Sequence, residues 1–279
     1  MKPKKITTFC FSPTGTSRKN LLAVVSGMKE MECQHIDITY NIPSDMNTLG
    51  REDLVFFSVP VYGGHVPSIA LQRMNKVRGE GTSAILLVTY GNRDFEKALN
   101  QLEDFVLERG FRPIAAAAML GEHSYSNPCN PIAVGRPDAA DLTSAKEFGV
   151  KLWKEKLSEY VEVPSEISTR KMPKVKTPWL NMLRFVWFVL GYQRQQKKNP
   201  VKIYPSAPAA QCTHCGKCVD LCPTQAIAIG KEEVTDSNRC IRCCACVKGC
   251  PSGARTFDSP FAAPLSKNFQ MRREPLYIF

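Results

Sequence analysis

Eight of the twelve cysteines in this chain fall into two copies of one pattern. Cys212, Cys215, Cys218 and Cys222 have the spacing C-x2-C-x2-C-x3-C and are followed by Pro223. Cys240, Cys243, Cys246 and Cys250 repeat the spacing and are followed by Pro251. Each cysteine, the proline and an alanine (Ala226, Ala254) recur at an offset of 28 residues, so one short unit has been duplicated. A cubane iron–sulfur cluster presents four irons and takes one soft thiolate on each. A tight loop with a cysteine at every third position can wrap three corners. The fourth cysteine, before the proline, then points away and reaches the cluster of the other copy. The expected ligand sets are therefore Cys212, Cys215, Cys218 and Cys250 for one cluster, and Cys240, Cys243, Cys246 and Cys222 for the other. Metal binding supplies folding free energy, so about 55 residues could fold here with little apolar core. Zinc is the competing chemistry, but three cysteines in one short loop suit a single tetrahedral ion poorly, and zinc leaves the doubled Cys-Pro ending without a role.

Over residues 204–258 the sequence resembles the bacterial two-[4Fe–4S] ferredoxins, which implies low-potential, one-electron transfer. Cys244, between two ligands, reads as a small filler. His214, in the first loop, either tunes the potential through a hydrogen bond or is simply solvated. Cys10, Cys33 and Cys129 are scattered. A disulfide framework would need an oxidising compartment, and only residues 6–11 follow the basic start as an apolar stretch, too short for a signal-peptide core. The expected compartment is the cytoplasm.

A second group of residues could hold a phosphate. Ser12, Pro13, Thr14, Gly15, Thr16 and Ser17 lie between an apolar strand pattern and a helical one, where hydroxyls and free N–H groups at a helix N-terminus suit an anion. Neither the Walker loop nor the dinucleotide glycine fingerprint is present. Two more loops carry a tyrosine and glycines after apolar strand patterns: Pro60, Val61, Tyr62, Gly63, Gly64 and His65, then Thr89, Tyr90, Gly91 and Asn92. Aromatic rings there can sandwich a flat ligand, and glycines let backbone approach it.

The elements that must position these loops alternate. Strands are expected at 5–11, 35–38, 54–59, 84–90 and 113–120; helices at 20–31, 67–77, 94–109 and 138–160, with Asp94 capping the third. This alternation implies a parallel sheet covered on both faces. In a sheet of order 2-1-3-4-5 the ligand sits at the strand C-termini beside the first strand. Residues 1 to about 160 resemble the flavodoxin family on these loops. The resemblance implies FMN, with Ser12, Thr14, Gly15, Thr16 and Ser17 on its phosphate and Tyr62 and Tyr90 flanking the flavin. The whole chain resembles the flavodoxin–ferredoxin fusion proteins of anaerobes. It departs from free flavodoxins in being basic and in lacking tryptophan in the first flanking loop.

The expected division is a flavodoxin-like domain at 1–162, a Pro-rich basic linker with an apolar helix at 163–203, a small α+β two-[4Fe–4S] ferredoxin domain at 204–258, and a tail at 259–279. Residues 179–190 are apolar but too short for a membrane span and broken by Asn181 and Arg184. A helix packed between domains is favoured there over a membrane-surface helix. The formal charge of +11 is concentrated at 170–176, 194–202 and 267–273. Two oxidised clusters, at about −2 each, and a phosphate monoester, at about −1.5 to −2, would offset much of it. Nucleic-acid binding is not expected, because no recognition motif accompanies the charge. The expected function is electron transfer between FMN, two [4Fe–4S] clusters and external redox proteins, some of them acidic. The alternative is an FMN-dependent reductase of a small substrate, fed by its own clusters, with Glu122, His123 or Tyr125 donating a proton.

Overall fold

The computed structural model describes residues 3–28, 31–42, 48–157 and 165–279. Its centre follows from two apolar runs without polar alternation, which can be strands only if both faces are covered. They form β3 (Asp53–Pro60) and β4 (Thr82–Tyr90) in the middle of a six-stranded sheet. β1 (Lys5–Cys10), β2 (Cys33–Asp37) and β5 (Phe111–Leu120) complete a parallel order β2-β1-β3-β4-β5, the doubly wound order expected. Register places Cys10 beside Ser58 and Pro60 beside Thr89, so the loops after β1, β3 and β4 emerge along one edge.

Four helices cover this sheet: α1 (Thr16–Ser26), α2 (Ser68–Arg73), α3 (Ala98–Leu107) and α4 (Ala139–Leu152), the last running into a π-helical turn at Trp153–Leu157. The end of the helix expected to reach residue 160, and the expected boundary at 162, lie outside the described residues. α3 begins later than expected. Lys97 rather than Asp94 is its cap residue, because the Asp94 carboxylate accepts from the Glu96 N–H in a turn of its own. α4 opens with a capping box between Asp138 and Asp141. Asp141 also takes a two-pronged ion pair from buried Arg136, whose other amino group donates to the Arg273 carbonyl at 2.9 Å.

The expected C-terminal tail is overturned. Residues Leu276–Ile278 form β6, antiparallel to β5 at Ala116–Ala118. Tyr277 stacks on Phe148 with ring centres 4.7 Å apart, and its hydroxyl bonds Ser144 at 2.8 Å. An aromatic strand of three residues is anchored here by packing on α4, which its local sequence does not reveal.

Contacts sort the chain into two units. The first comprises Met1–Gly121, Gly135–Lys174 and Arg273–Phe279; the second comprises Glu122–Val134 and Val175–Arg272. Neither is a continuous stretch, unlike the division expected. The second unit contains α5 (Trp179–Lys198), α6 (Lys217–Asp220), α7 (Ala245–Lys248) and α8 (Ala262–Asn268), and Ser206 pairs with Thr256 across the base of the cysteine-rich segment. α5 packs one face on α8 through Phe185 on Phe269 and Phe188 on Phe261. Met182, Val189 and Tyr192 are partly buried, whereas Trp179, Leu180, Leu183, Val186, Trp187 and Leu190 are exposed. Among the described residues no helix is long and apolar enough to cross a membrane.

α1 and α4 approach backbone to backbone. A Cβ on Gly149 would lie 2.0 Å from the Val24 carbonyl oxygen, whereas one on Gly191 of α5 would meet nothing. Gly149→Ala should therefore lower stability by about 1–3 kcal/mol, while Gly191→Ala should raise it by about 0.5–1 kcal/mol. Denaturant titration of both variants checks the pair.

Candidate functional site

The cysteine repeats keep their symmetry in the backbone. Left-handed residues recur in pairs: His214 (φ 48) with Arg242 (φ 54), Gly216 (φ 73) with Cys244 (φ 60), and Gln225 (φ 52) with Gly253 (φ 66). Each pair keeps the 28-residue offset of the cysteines. Positive φ turns each loop tightly enough for its cysteines to face one centre. The single turns α6 and α7 then carry Cys218 and Cys246 at equivalent points.

The eight cysteines line two small concavities. Cys212, Cys215, Cys218 and Cys250 line one; Cys222, Cys240, Cys243 and Cys246 line the other. Each therefore gathers three thiols from one repeat and the pre-proline thiol from its sibling. Cys244 also borders the second concavity, but its thiol points back to the Arg242 carbonyl at 3.6 Å, and burial pushes its pKa well up. Burial also raises the Cys218, Cys240, Cys243 and Cys246 thiols, Cys243 to about 12. Three of these, Cys240, Cys243 and Cys246, share one concavity, and thiols so crowded ionise together only with a compensating cation, which iron would provide.

The hydrogen bonds around the sulfurs repeat as well. The Ala226 N–H donates to the Cys222 sulfur at 3.1 Å, and the Thr224 hydroxyl lies 3.7 Å from it. In the other copy Ser252 lies 3.5 Å from the Cys250 sulfur. Burial opposes ionisation of Cys250, but the N–H groups of Arg255, Ser252 and Ala254, together with the Ser252 hydroxyl, hold its thiol below the ordinary range. Sequence reading does not single out Thr224 and Ser252, although the 28-residue offset pairs them. It misses Arg255 too. This arginine is buried, donates to the Pro205 carbonyl at 2.9 Å and to the Glu232 carbonyl, and its charge favours the thiolates of Cys218 and Cys246. Its Nε is buried with no protein partner, and the residue borders the first concavity. A cluster bound there, anionic in sum with its four thiolates, would give that donor a sulfur acceptor. His214 turns away from the thiols to Glu232 at 2.8 Å, a hydrogen bond that raises the histidine pKa.

In the first unit the three loops emerge along one sheet edge. Gly15 (φ 77) precedes α1; Ser12 receives the Arg18 N–H on its hydroxyl at 3.1 Å and gives its own N–H to Thr39. The Thr14 and Thr16 hydroxyls bond each other at 2.7 Å, while Ser17 is buried. Gly63 and Gly64, both at positive φ, form a turn in which Tyr62 and His65 exchange backbone bonds. The Val61 N–H bonds the Thr89 carbonyl, and the Lys97 N–H bonds the Gly64 carbonyl at 3.0 Å, tying this loop to the one after β4. Asn92 sits in left-handed geometry, as the turn after Gly91 requires. Asn20, which pattern reading assigns only to a helix, is buried and donates to Thr89 Oγ1 and to the Leu120 carbonyl, pinning β4 and β5 under α1. Gly121 has no room for a side chain between Thr16 and Thr89.

Tyr90 does not occupy the flanking position expected of it. Its ring is 2% exposed and packs edge-on against Phe95, with centres 5.6 Å apart. The last inward-facing residue of β4 belongs to the core, so Tyr62 alone presents a half-buried aromatic ring there. The proton donors considered for a reductase also have other work. Glu122 pairs with Lys248, and Tyr125 packs between His123 and Phe257 within the second unit, its hydroxyl pushed by burial to about 12.

Residues 211–254 match the family described as a 4Fe-4S dicluster domain. A 62-residue stretch is 37% identical to a subunit of selenate reductase from Mesobacillus selenatarsenatis, covering 22% of this chain and 21% of that protein. The chain thus spans about a fifth of that curated relative. Among solved structures, a flavodoxin from the domain Archaea overlies 55% of this chain and 97% of its own at 14% identity and TM-score 0.39. Oxidised flavodoxin 1 from Bacillus cereus overlies 54% and 98% at 16% identity and TM-score 0.38. The assignment of a flavodoxin-like sheet rests on the strand order itself. The chain joins that sheet to a segment of the 4Fe-4S dicluster type.

The crossed grouping has a direct test. Cys212→Ala with Cys250→Ala should lose no more iron than either single change, about half the total, whereas Cys240→Ala with Cys250→Ala should lose nearly all. Iron and sulfide analysis of anaerobically reconstituted protein separates this from uncrossed ligation, in which the two double variants exchange outcomes.

Proposed function

We propose that the chain is an electron-transfer protein that passes electrons between FMN on its first unit, two [4Fe–4S] clusters on its second, and external redox partners. The observation that carries this reading is the sorting of eight cysteines into two four-thiol concavities, each completed by the sibling repeat. Bound FMN takes one or two electrons and a cubane cluster one at a time, so together they interconvert pair and single-electron chemistry.

The chain's own residues would do the holding and tuning. Cys212, Cys215, Cys218 and Cys250 would hold one cluster, and Cys222, Cys240, Cys243 and Cys246 the other. The Ala226 N–H and the Thr224 hydroxyl would moderate charge on the Cys222 thiolate, and the Ser252 hydroxyl on that of Cys250. For FMN the residues fit at the phosphate end. Gly15 supplies the left-handed turn, Thr14 and Thr16 the hydroxyls, and the start of α1 free N–H groups. At the ring end Tyr62 supplies one face, and Gly63, Gly91 and Asn92 supply backbone. The engagement of Glu122 and Tyr125 elsewhere favours a carrier over a reductase.

Reconstitution under anaerobic conditions should give two cubane equivalents of iron and sulfide and one FMN per chain; colourless protein holding zinc would sink the proposal. Thr14→Ala with Thr16→Ala should weaken FMN binding by about 10- to 100-fold, the effect of losing hydrogen bonds to a charged group, read by flavin fluorescence. Arg255→Gln should make a cluster potential more negative by on the order of 50 mV, because a nearby cation favours the added electron. Arg255→Lys should shift it less, and protein-film voltammetry reads both.

A further inference from the structure

The first half of α5 leaves a stripe uncovered. Trp179, Leu180, Leu183, Val186, Trp187 and Leu190 are all exposed, the tryptophans at 71% and 68%. At about 100° per residue these six fall within an arc of about 120°. The opposite face, with Phe185 buried and Phe188 partly so, is the one that packs on α8. The stripe is thus a second apolar face on a helix whose core-facing side is already satisfied. Such contiguous apolar area on a surface marks an interaction site.

Charge says what covers it. From residue 175 to 202 the chain has no Asp or Glu and carries Lys176, Arg184, Arg194, Lys197, Lys198 and Lys202. Lys176 precedes the stripe, Arg184 flanks it, and Arg194, Lys197 and Lys198 continue its arc in the last turns of α5. A second copy of this chain is a poor occupant. Paired parallel, the helices would set cations against cations; paired antiparallel, they would set cations against the apolar turns, with no carboxylate on the segment to neutralise either. An anionic bilayer surface satisfies both halves. Tryptophan and leucine enter the headgroup boundary, and long cationic side chains reach phosphates.

We propose that α5 is a monotopic anchor, lying in the plane of an anionic phospholipid surface with the Trp179–Leu190 stripe inserted. This does not depend on which cofactors the rest of the chain carries.

The test is flotation of the full reconstituted chain with phosphatidylcholine vesicles, with and without phosphatidylglycerol. The chain should float with the anionic vesicles, bind pure phosphatidylcholine weakly, and detach as salt rises. Its tryptophan emission should shift to the blue on binding. Arg194→Glu with Lys197→Glu and Lys198→Glu should weaken partition about 100-fold, and Trp179→Ser with Trp187→Ser about tenfold or more. Both variants should keep wild-type iron and sulfide, which shows that they fold. Absence of flotation with anionic vesicles at low salt, or variants that bind as wild type does, would overturn the proposal. Concentration-dependent dimerisation lost in the double serine variant, without lipid binding, would assign the stripe to a second copy instead. Binding to polyglutamate but not to vesicles would assign it to an acidic protein.

Discussion

A buried thiolate is costly alone and costlier beside three others, and the second unit is organised around removing that cost. Four thiols meet in each concavity, and burial drives Cys218, Cys240, Cys243 and Cys246 towards the neutral form in the bare protein. Only a multivalent cation or a cationic cluster makes four ionised sulfurs tolerable in so small a space. The two short helical turns and the paired left-handed residues make sense as consequences. They exist to aim sulfur inward, and without metal they have few apolar side chains to hold them: the cluster of buried residues nearest them consists of Cys218, Ile227 and Cys246.

The crossing of the fourth cysteine adds a constraint that neither repeat carries alone. Because Cys222 and Cys250 each complete the sibling's site, losing either concavity removes a ligand from the other repeat's fold. Arg255 reinforces the link. It is fixed to the backbone at Pro205 and Glu232, and its charge acts on Cys218 and Cys246, which belong to different concavities. One guanidinium therefore biases both sites in the same direction, towards holding negative charge.

The legible parts of this molecule are those that repeat or alternate. The cysteine offset of 28 residues and the apolar runs of β3 and β4 are local patterns, and both lead to the right grouping of chain segments. Tyr90 shows where such reading stops: strand-end position is visible, but whether the ring turns out to the loop or in towards Phe95 depends on tertiary packing. The same holds for Leu276–Ile278, whose three residues find a partner strand more than 150 positions away in sequence. Asn20 and Arg255 are illegible for a related reason. A buried polar side chain is recognised by what it bonds, and its partners are backbone carbonyls scattered across the chain. Residues 122–134 look like the loop after β5 yet belong with the cysteine-rich unit, through the pairing of Glu122 with Lys248 and the packing of Tyr125 on Phe257.

The net charge also changes meaning once it is located. A formal +11 spread over 279 residues would suggest a uniformly basic surface and a polyanionic partner. In the structure some cations are held in ion pairs, which that net figure already counts. Arg136 is neutralised by Asp141, and Arg170 by Glu103 and Asp104. Arg255 faces thiols. Two loaded clusters would subtract about four charges more. Six of the cations lie on the segment around α5, where no carboxylate interrupts the 28 residues from 175 to 202. That is also where the large apolar side chains fail to find a core. An excess of cations and an excess of exposed apolar surface on the same helix are hard to reconcile with a bare face in water, because each would normally be thinned out on a surface that touches only solvent. The anchor proposed for α5 would account for their coincidence, since the boundary of a charged bilayer is apolar and anionic within a few ångströms.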